Sequence, residues 1–461
     1  MQGTRFLNQA VANQPQRTAT IHGERRRTWR EVGERVPRLA AALRVLGIAD
    51  GAFVAALAMN NDRYIELFFA VPWAGGAFAP LNIRWFLAEN AYALTDSRAS
   101  VLFVDEALVD QARALQASLG WLTTLVYLGE GETPDGMLGF EDLIARHPPM
   151  ADANRHGEDL WVIFYTGGTT AYPKGVMMSH RGLFVATVSY LALLPSIEDL
   201  RFVNHPDFDR FDLSSLKTCV YGGSPMPEAP IKLAMARLPS LAFCQVFGMT
   251  ETGGFATMLR WRDHVTSGPK AARLKSAGQA ALGNELRVVL ADGSDAGTGQ
   301  LGEILVRSSM LMSGYLNNLA ATAAALVKGW MHTGDAGTLD EDGYLYVADR
   351  IKDMIVSGGE DVYSIEVERV LFMHPAVREA AVIGIPSAQW GEAEHAVVVL
   401  RDGASVTAEA LSAFCREHIG GYKIPRSYEI RSEALPVTPV GEVRKNLLRD
   451  PYCVGHDRKI G

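Results

Sequence analysis

The stretch that most narrows what this chain can fold into is Phe164-Tyr-Thr-Gly-Gly-Thr-Thr-Ala-Tyr-Pro-Lys-Gly-Val176, followed by Ser179-His180. Residues 161–165 are apolar and read as a buried strand. They run into a loop of glycines and hydroxyls, then a lysine, then a stretch read as a helix. Glycines let backbone N–H groups converge on phosphate oxygens, threonines add donors, and Lys174 supplies positive charge. Gly-Lys-Ser/Thr is missing, so this is not a P-loop. A strand feeding such a loop calls for an α/β layered domain, and the flanking sequence agrees. Short apolar runs at 53–58 and 101–104 alternate with a helical pattern at 62–74, which predicts parallel strands with helices between them.

Local signals mark a helix before that. Thr28-Trp-Arg-Glu31 is a capping-box pattern, Val32, Val36, Leu39, Leu43 and Leu46 follow at helical spacing, and Gly47 closes the run. Pro37 inside it is expected to bend the helix or move its start. The most apolar stretch, 64–81, holds Glu66, Pro72 and a Gly-Gly pair, so it reads as a buried core helix and not as a bilayer span. The N-terminus lacks the apolar core of a signal peptide, and a cytoplasmic protein is expected. Near residue 350 the character changes. From Val362 onward a helix (365–372), two strands (377–385, 395–400), a helix (408–418) and a strand (428–430) outline a small α+β unit. The expected domains are therefore 1–349 and 350–461.

Composition excludes several classes. Of 461 residues, 48% are hydrophobic and 21% charged, ordinary for a globular chain, and the net charge of −8 gives no support to nucleic-acid binding. The basic run Arg25-Arg26-Arg27 with Arg30 reads as a solvated loop leading into the helix. Cys219, Cys244, Cys415 and Cys453 are too scattered for a disulfide framework or a zinc site.

Motif by motif, the chain resembles the adenylate-forming (ANL) superfamily, and within it the acyl-CoA synthetases that ligate fatty or aryl acids to CoA. The resemblance runs from about Phe6 to Arg449. It implies a large multi-layer α/β domain and a small mobile α+β domain hinged near Lys352. It also implies two half-reactions: acid plus MgATP gives acyl-AMP and pyrophosphate, then the CoA thiol displaces AMP. The residues 164–176 resemble the family's phosphate loop, so Thr166, Gly167, Gly168, Thr169, Thr170 and Lys174 would surround the phosphates. Tyr221-Gly-Gly-Ser-Pro-Met-Pro227 resembles the loop against adenine, which assigns Gly223 and Ser224 to the nucleotide. Gln245-Val-Phe-Gly-Met-Thr-Glu-Thr252 resembles the segment where an aromatic residue stacks on adenine, which assigns Gln245, Phe247 and Gly248. There Thr250 would bond the α-phosphate and Glu251 would hold Mg²⁺. Trp330-Met-His-Thr-Gly-Asp335 and Tyr344-Leu-Tyr-Val-Ala-Asp-Arg350 match the ribose region, with Asp335 accepting both hydroxyls and Arg350 donating. Gly358 and Gly359 would line the pantetheine channel. Gly302–Arg307 and Gly314-Tyr315 match structural strands, with no catalytic role expected. The implied partners are a small carboxylic acid, ATP and CoA; a homodimer is left open.

Two departures stand out. The family places a lysine after the glycine of the last motif, where it bridges the acyl carboxylate and the α-phosphate; here the residue is Glu442, a charge reversal. The interval from Gly175 to Tyr221 is short by roughly 60 residues, about two βαβ units of ~30 residues each, with the join near Leu194-Pro195-Ser196. A milder change puts Ala171 at a position that usually holds glycine. Impaired adenylation is therefore expected. A non-catalytic nucleotide- or CoA-binding relative, and an enzyme limited to the thioester step, are the other readings. Apolar residues at 183–194 and 241–247 are expected to be less buried than their composition calls for.

Overall fold

The computed structural model describes the chain apart from residues 167–172, 194–209, 211, 215, 224–227, 351–352, 358–359, 388, 438–442 and 454–461. Two compact units emerge, and neither is continuous in sequence. The first comprises Met1–Tyr190, Thr250–Gly253 and Ser309–Leu326; the second comprises Leu191–Met249, Gly254–Ser308 and Val327–Gly461.

The first unit is built on an eight-stranded sheet. Its strands lie in the order Gly314–Tyr315, Lys174–Ser179, Leu160–Thr166, Ala77–Pro80, Phe53–Leu57, Val101–Val104, Thr124–Tyr127 and Leu138–Gly139. The central strands are parallel, as the alternation of apolar runs predicts, and the two at the Gly314 end are antiparallel. Strand Val101–Val104 is wholly buried, which is why it reads as a continuous apolar run. Helix Trp29–Val45 opens with the expected capping box: Glu31 N–H donates to Thr28 Oγ1 at 3.3 Å and Thr28 N–H to Glu31 Oε2 at 2.7 Å. It runs on through Pro37 without a shifted start, its apolar face buried at Val32, Val36, Leu39 and Leu43. The stretch 64–81 is not one helix. Helix Asp62–Trp73 ends, the chain turns at Gly75 (φ +90°), and Ala77–Pro80 is a sheet strand. The Gly-Gly pair that interrupts the apolar run is this turn.

A charged cluster clamps the hairpin of strands Thr18–His22 and Arg25–Thr28 to the helices beneath it. Asp62 and Glu66 are 3% and 0% exposed. Arg25 donates to Asp62 at 2.6 and 2.7 Å and to Glu130 at 2.7 Å, and Arg27 also pairs with Asp62. Arg35 bridges Glu66 and Glu141 at 2.8 Å each. Half of the basic run is a clamp where a solvated loop was expected: Arg27 is buried and Arg25 half-buried and paired with two carboxylates, while Arg26 and Arg30 are exposed as expected.

Among the described residues, the second unit holds three sheets. Thr218–Gly222 and Ala242–Phe247 are parallel neighbours, followed antiparallel by Thr257–Leu259 and Gln279–Ala280. Asn284–Val289, Gly302–Ser308, Trp330–Leu339 and Leu345–Arg350 pair antiparallel in a second sheet. The third, from Ile355 on, contains Val377–Ser387, Gly391–Leu400 and Ser427–Arg431, with helices Ser364–Met373 and Ala408–Arg416, close to the expected boundaries. Its two core clusters, one around Val367, Val382 and Leu411 and one around Ile383, Val397 and Leu448, draw only on residues after 350.

The expected under-burial is half right. In helix His180–Leu193, Val188 and Leu191 are exposed, Leu191 by 64%. Leu241, Phe243 and Cys244 are buried instead, because Ile231 and Ala234 of helix Glu228–Arg237 and Leu274 pack with Leu241 and Phe243.

Candidate active site

The phosphate-loop expectation needs one correction at its far end. Lys174 begins a strand, Lys174–Ser179, that pairs antiparallel with Leu160–Thr166, so the loop closes a hairpin and the helix starts only at His180. Val176, Met177 and Met178 supply apolar side chains to both faces of that strand, a pattern too short to separate from a helix by periodicity. Thr166 and Lys174 are direct partners across the hairpin, one at each lip of the loop. Gly167, Gly168, Thr169, Thr170 and Ala171 lie outside the described residues. The hairpin is tied down from beneath. The Tyr165 hydroxyl donates to Asp96 Oδ2 at 3.0 Å, and Asn317 Nδ2 donates to Asp96 Oδ1 at 3.0 Å.

Thr250 and Glu251 form a single 3-10 turn, Thr250–Thr252, in the same unit. Glu251 is 6% exposed. Its Oε1 accepts a hydrogen bond from the Tyr315 hydroxyl at 2.9 Å, and its carbonyl accepts from Met312 N–H at 2.9 Å. The Lys174 ammonium sits 4.9 Å from the centre of the Tyr315 ring. Burial and the neighbouring carboxylate push the Tyr315 hydroxyl up, so it stays a donor at any working pH. Tyr315 was assigned no part in the chemistry by the sequence; the only signal is its place after Gly314 in a motif taken as structural.

The second unit carries the remaining described positions. Gly223 follows strand Thr218–Gly222 at φ +79°, a conformation that favours glycine. Gln245 Oε1 accepts from the Tyr221 hydroxyl at 3.4 Å, and that hydroxyl also meets His264 Nε2 at 2.9 Å. Burial pushes the His264 imidazole below its ordinary value. Phe247 rests half-buried against the cluster of Ala277, Val288, Ile304 and Leu345. A Cβ at Gly248 would lie 2.4 Å from the Phe255 Cα, so only glycine allows the chain to pass there. Asp335 pairs with Arg350 across strands Trp330–Leu339 and Leu345–Arg350, which brings the two expected ribose positions opposite each other. Glu303 fixes the approach: Oε1 accepts from Gly334 N–H at 3.2 Å and Oε2 contacts His332 Nδ1 at 2.8 Å. Asp335 N–H donates to Thr333 Oγ1 at 3.1 Å.

Ser224, Lys352, Gly358, Gly359 and Glu442 lie outside the described residues, as does the side chain of Arg350. The nearest base after Glu442 in the last motif, beyond Arg444, is engaged elsewhere. Lys445 Nζ pairs with Glu368 Oε1 at 2.8 Å and also bonds Ser364 Oγ.

A family model described as "AMP-binding enzyme" matches residues 7–193 and 186–316, and one described as "AMP-binding enzyme C-terminal domain" matches residues 366–442. This chain belongs to the AMP-binding enzyme family, the adenylate-forming ANL superfamily. A feruloyl-CoA synthase of an Amycolatopsis species is 34% identical to this AMP-binding enzyme, covering 94% of this chain and 96% of the relative. An indoleacetate–CoA ligase of Aromatoleum aromaticum is 31% identical over 97% and 98% of the two chains. Among solved structures, the anthranilate CoA ligase AuaEII in complex with anthranoyl-AMP superposes with a TM-score of 0.88 at 26% identity, over 98% and 97% of the chains. The amide bond synthetase McbA from Marinactinospora thermotolerans gives 0.86 at 28% identity, over 98% and 99%. The two matched stretches of the family model overlap at residues 186–193. The alignment to the feruloyl-CoA synthase spans 494 positions, whereas 94% of these 461 residues is about 433.

Proposed function

We propose that this AMP-binding enzyme is an AMP-forming acid–thiol ligase that joins an aryl or fatty carboxylic acid to CoA through an acyl-adenylate. The observation that carries the reading is the arrangement of Lys174, Tyr315 and Glu251 beside the hairpin lips Thr166 and Lys174. A cation and hydroxyl donors stand where phosphate oxygens would arrive, with a buried carboxylate one side chain away. Glu251 fits Mg²⁺: the ion prefers hard oxygen ligands, is commonly held by one or two carboxylates plus substrate phosphates, and when bound neutralises phosphate charge. Among the described residues no group of three or more His, Cys, Asp or Glu gathers to hold a metal alone. The names of the relatives support CoA as acceptor and carboxylic acids, aryl ones among them, as donors.

Residues 1–349 would form the large domain and 350–461 the small one, turning near Lys352. The two core clusters made only of residues after 350 support this division. Glu442 in place of the bridging lysine argues for weak adenylation. Loss of one pre-organised donor costs about 10²–10³ in rate, and an added anion beside phosphate costs more. Lys445, held by Glu368 and Ser364, is poorly placed to stand in. The interrupted family match near residue 194 supports a missing segment of roughly 60 residues, about two βαβ units. The test is acid-dependent ATP–pyrophosphate exchange with aryl and fatty acids, then CoA consumption from pre-made acyl-AMP. Exchange with any acid supports the full ligase. Thioester formation without exchange restricts the enzyme to the second half-reaction. Neither activity refutes the reading and leaves a binding protein.

A further inference from the structure

The segment 312–317 is pinned on every described side. Gly314 and Tyr315 pair with Met177 and Val176, and Leu316 N–H donates to Gly175 O at 2.8 Å. Tyr315 N–H donates to Thr322 Oγ1 at 2.9 Å, and Asn317 holds Asp96. Tyr315 is 6% exposed and presents two different surfaces to two different groups. Its hydroxyl faces Glu251 and its ring faces Lys174. A carboxylate with one oxygen fixed by a neutral donor offers its other oxygen in a single orientation. A ring 4.9 Å from an ammonium steadies the cation without neutralising it, as a carboxylate would.

We propose that Tyr315 is the positioning residue that sets the metal-holding carboxylate of Glu251 and the phosphate-directed ammonium of Lys174 in one rigid register. The proposal rests on the nucleotide-site reading above. The hydroxyl governs how Glu251 meets Mg²⁺; the ring governs Lys174 and the phosphates. Partners of this kind behind a metal ligand are worth about 10–100-fold in metal affinity.

The test is calorimetric titration of ATP at graded Mg²⁺ concentrations, which needs no turnover. Tyr315→Phe keeps the ring and removes the hydroxyl. It should raise the Mg²⁺ midpoint about tenfold and leave Mg²⁺-free ATP affinity within about twofold of the parent. Tyr315→Leu removes both and should also weaken Mg²⁺-free ATP binding. A double-mutant cycle with Glu251→Gln separates positioning from general loosening. Once the carboxylate is gone, Tyr315→Phe should change the Mg²⁺ midpoint no further, whereas a merely structural loss would add. A Tyr315→Phe midpoint within twofold of a parent that binds ATP overturns the Tyr315 proposal alone, as does additivity in the cycle. A parent that binds no ATP overturns the nucleotide-site reading and this proposal with it.

Discussion

Asp62→Asn isolates the buried charge cluster of the first unit. The substitution keeps volume and shape but strands two guanidiniums that share the carboxylate, one of them on the buried Arg27. Breaking a buried pair by removing one partner costs about 3–5 kcal/mol. Part of that is retained here, because Arg25 keeps Glu130 at 2.7 Å and Arg27 keeps Glu141 at 3.4 Å. About 2–3 kcal/mol of destabilisation at pH 7 is expected, or roughly 5–10 °C in melting temperature for a unit of this size. The pH dependence has a definite sign. Burial alone would raise the Asp62 carboxyl, but the hydrogen bonds from Arg25 and the charge of Arg27 outweigh it and hold it at about 2, below the ordinary 3.8. The unfolded chain therefore takes up this proton first as acid is added. The carboxylate's contribution is complete above about pH 5 and is withdrawn as pH falls through 4 toward 2. After screening by the solvent-facing side of the cluster it amounts to about 1–2 kcal/mol. Scanning calorimetry of parent and variant between pH 7 and pH 3 should show their melting gap shrinking toward low pH. A gap of less than about 2 °C at pH 7, or one that does not narrow on acidification, would refute the reasoning.

Glu442→Lys should raise acid-dependent ATP–pyrophosphate exchange by at least about tenfold, supplying the proposed donor where one is worth about 10²–10³ in rate; a rate within twofold of the parent would place the limit elsewhere, at the proposed missing segment. Asp335→Ala should weaken ATP binding by about 1–3 kcal/mol, the cost of stranding hydrogen-bond partners, read by calorimetry; unchanged affinity would remove Asp335 from the ribose site. Glu303→Ala, which frees Gly334 N–H and His332, should weaken ATP binding less than Asp335→Ala does, since its effect passes through the backbone; an equal or larger loss would mean Glu303 meets the nucleotide itself. Under native conditions a thiol reagent should label the half-exposed Cys453 well ahead of the buried Cys219, Cys244 and Cys415, and burial, raising the Cys244 and Cys415 thiols, slows them further; rapid labelling of Cys244 would show that strand Ala242–Phe247 is not packed as described.

What could be read in advance was what neighbours in sequence decide. The Thr28–Glu31 box, the apolar face of helix Trp29–Val45 and the elements from Ser364 to Arg431 all depend on side chains within a turn or a strand of one another. The candidate site positions Lys174, Glu251 and Asp335 were named by motifs that specify a residue type. Distant pairings were not. Tyr315 meets Glu251 and Lys174 because its strand docks on Val176, and nothing near residue 315 announces that. Lys445 is held by Glu368, far upstream in the chain, and no pattern near residue 445 announces that pairing. The strand after the phosphate loop was mistaken for a helix because six residues carry too little period to decide.

The discontinuity of the first unit has a consequence in time. Strand Lys174–Ser179 leaves the ribosome 135 residues before Gly314–Tyr315, the strand that covers its outer edge. At roughly 5–20 residues per second, that is a delay of roughly 7–27 s during which the nascent chain has its hairpin but not its edge. Over the same interval the Glu251 side chain, once made, still waits for its tyrosine. An uncovered strand is a template for pairing with another chain. Truncated transcripts ending between residues 180 and 313 should therefore aggregate, and products that reach the end of helix Leu319–Ala325 should escape that fate.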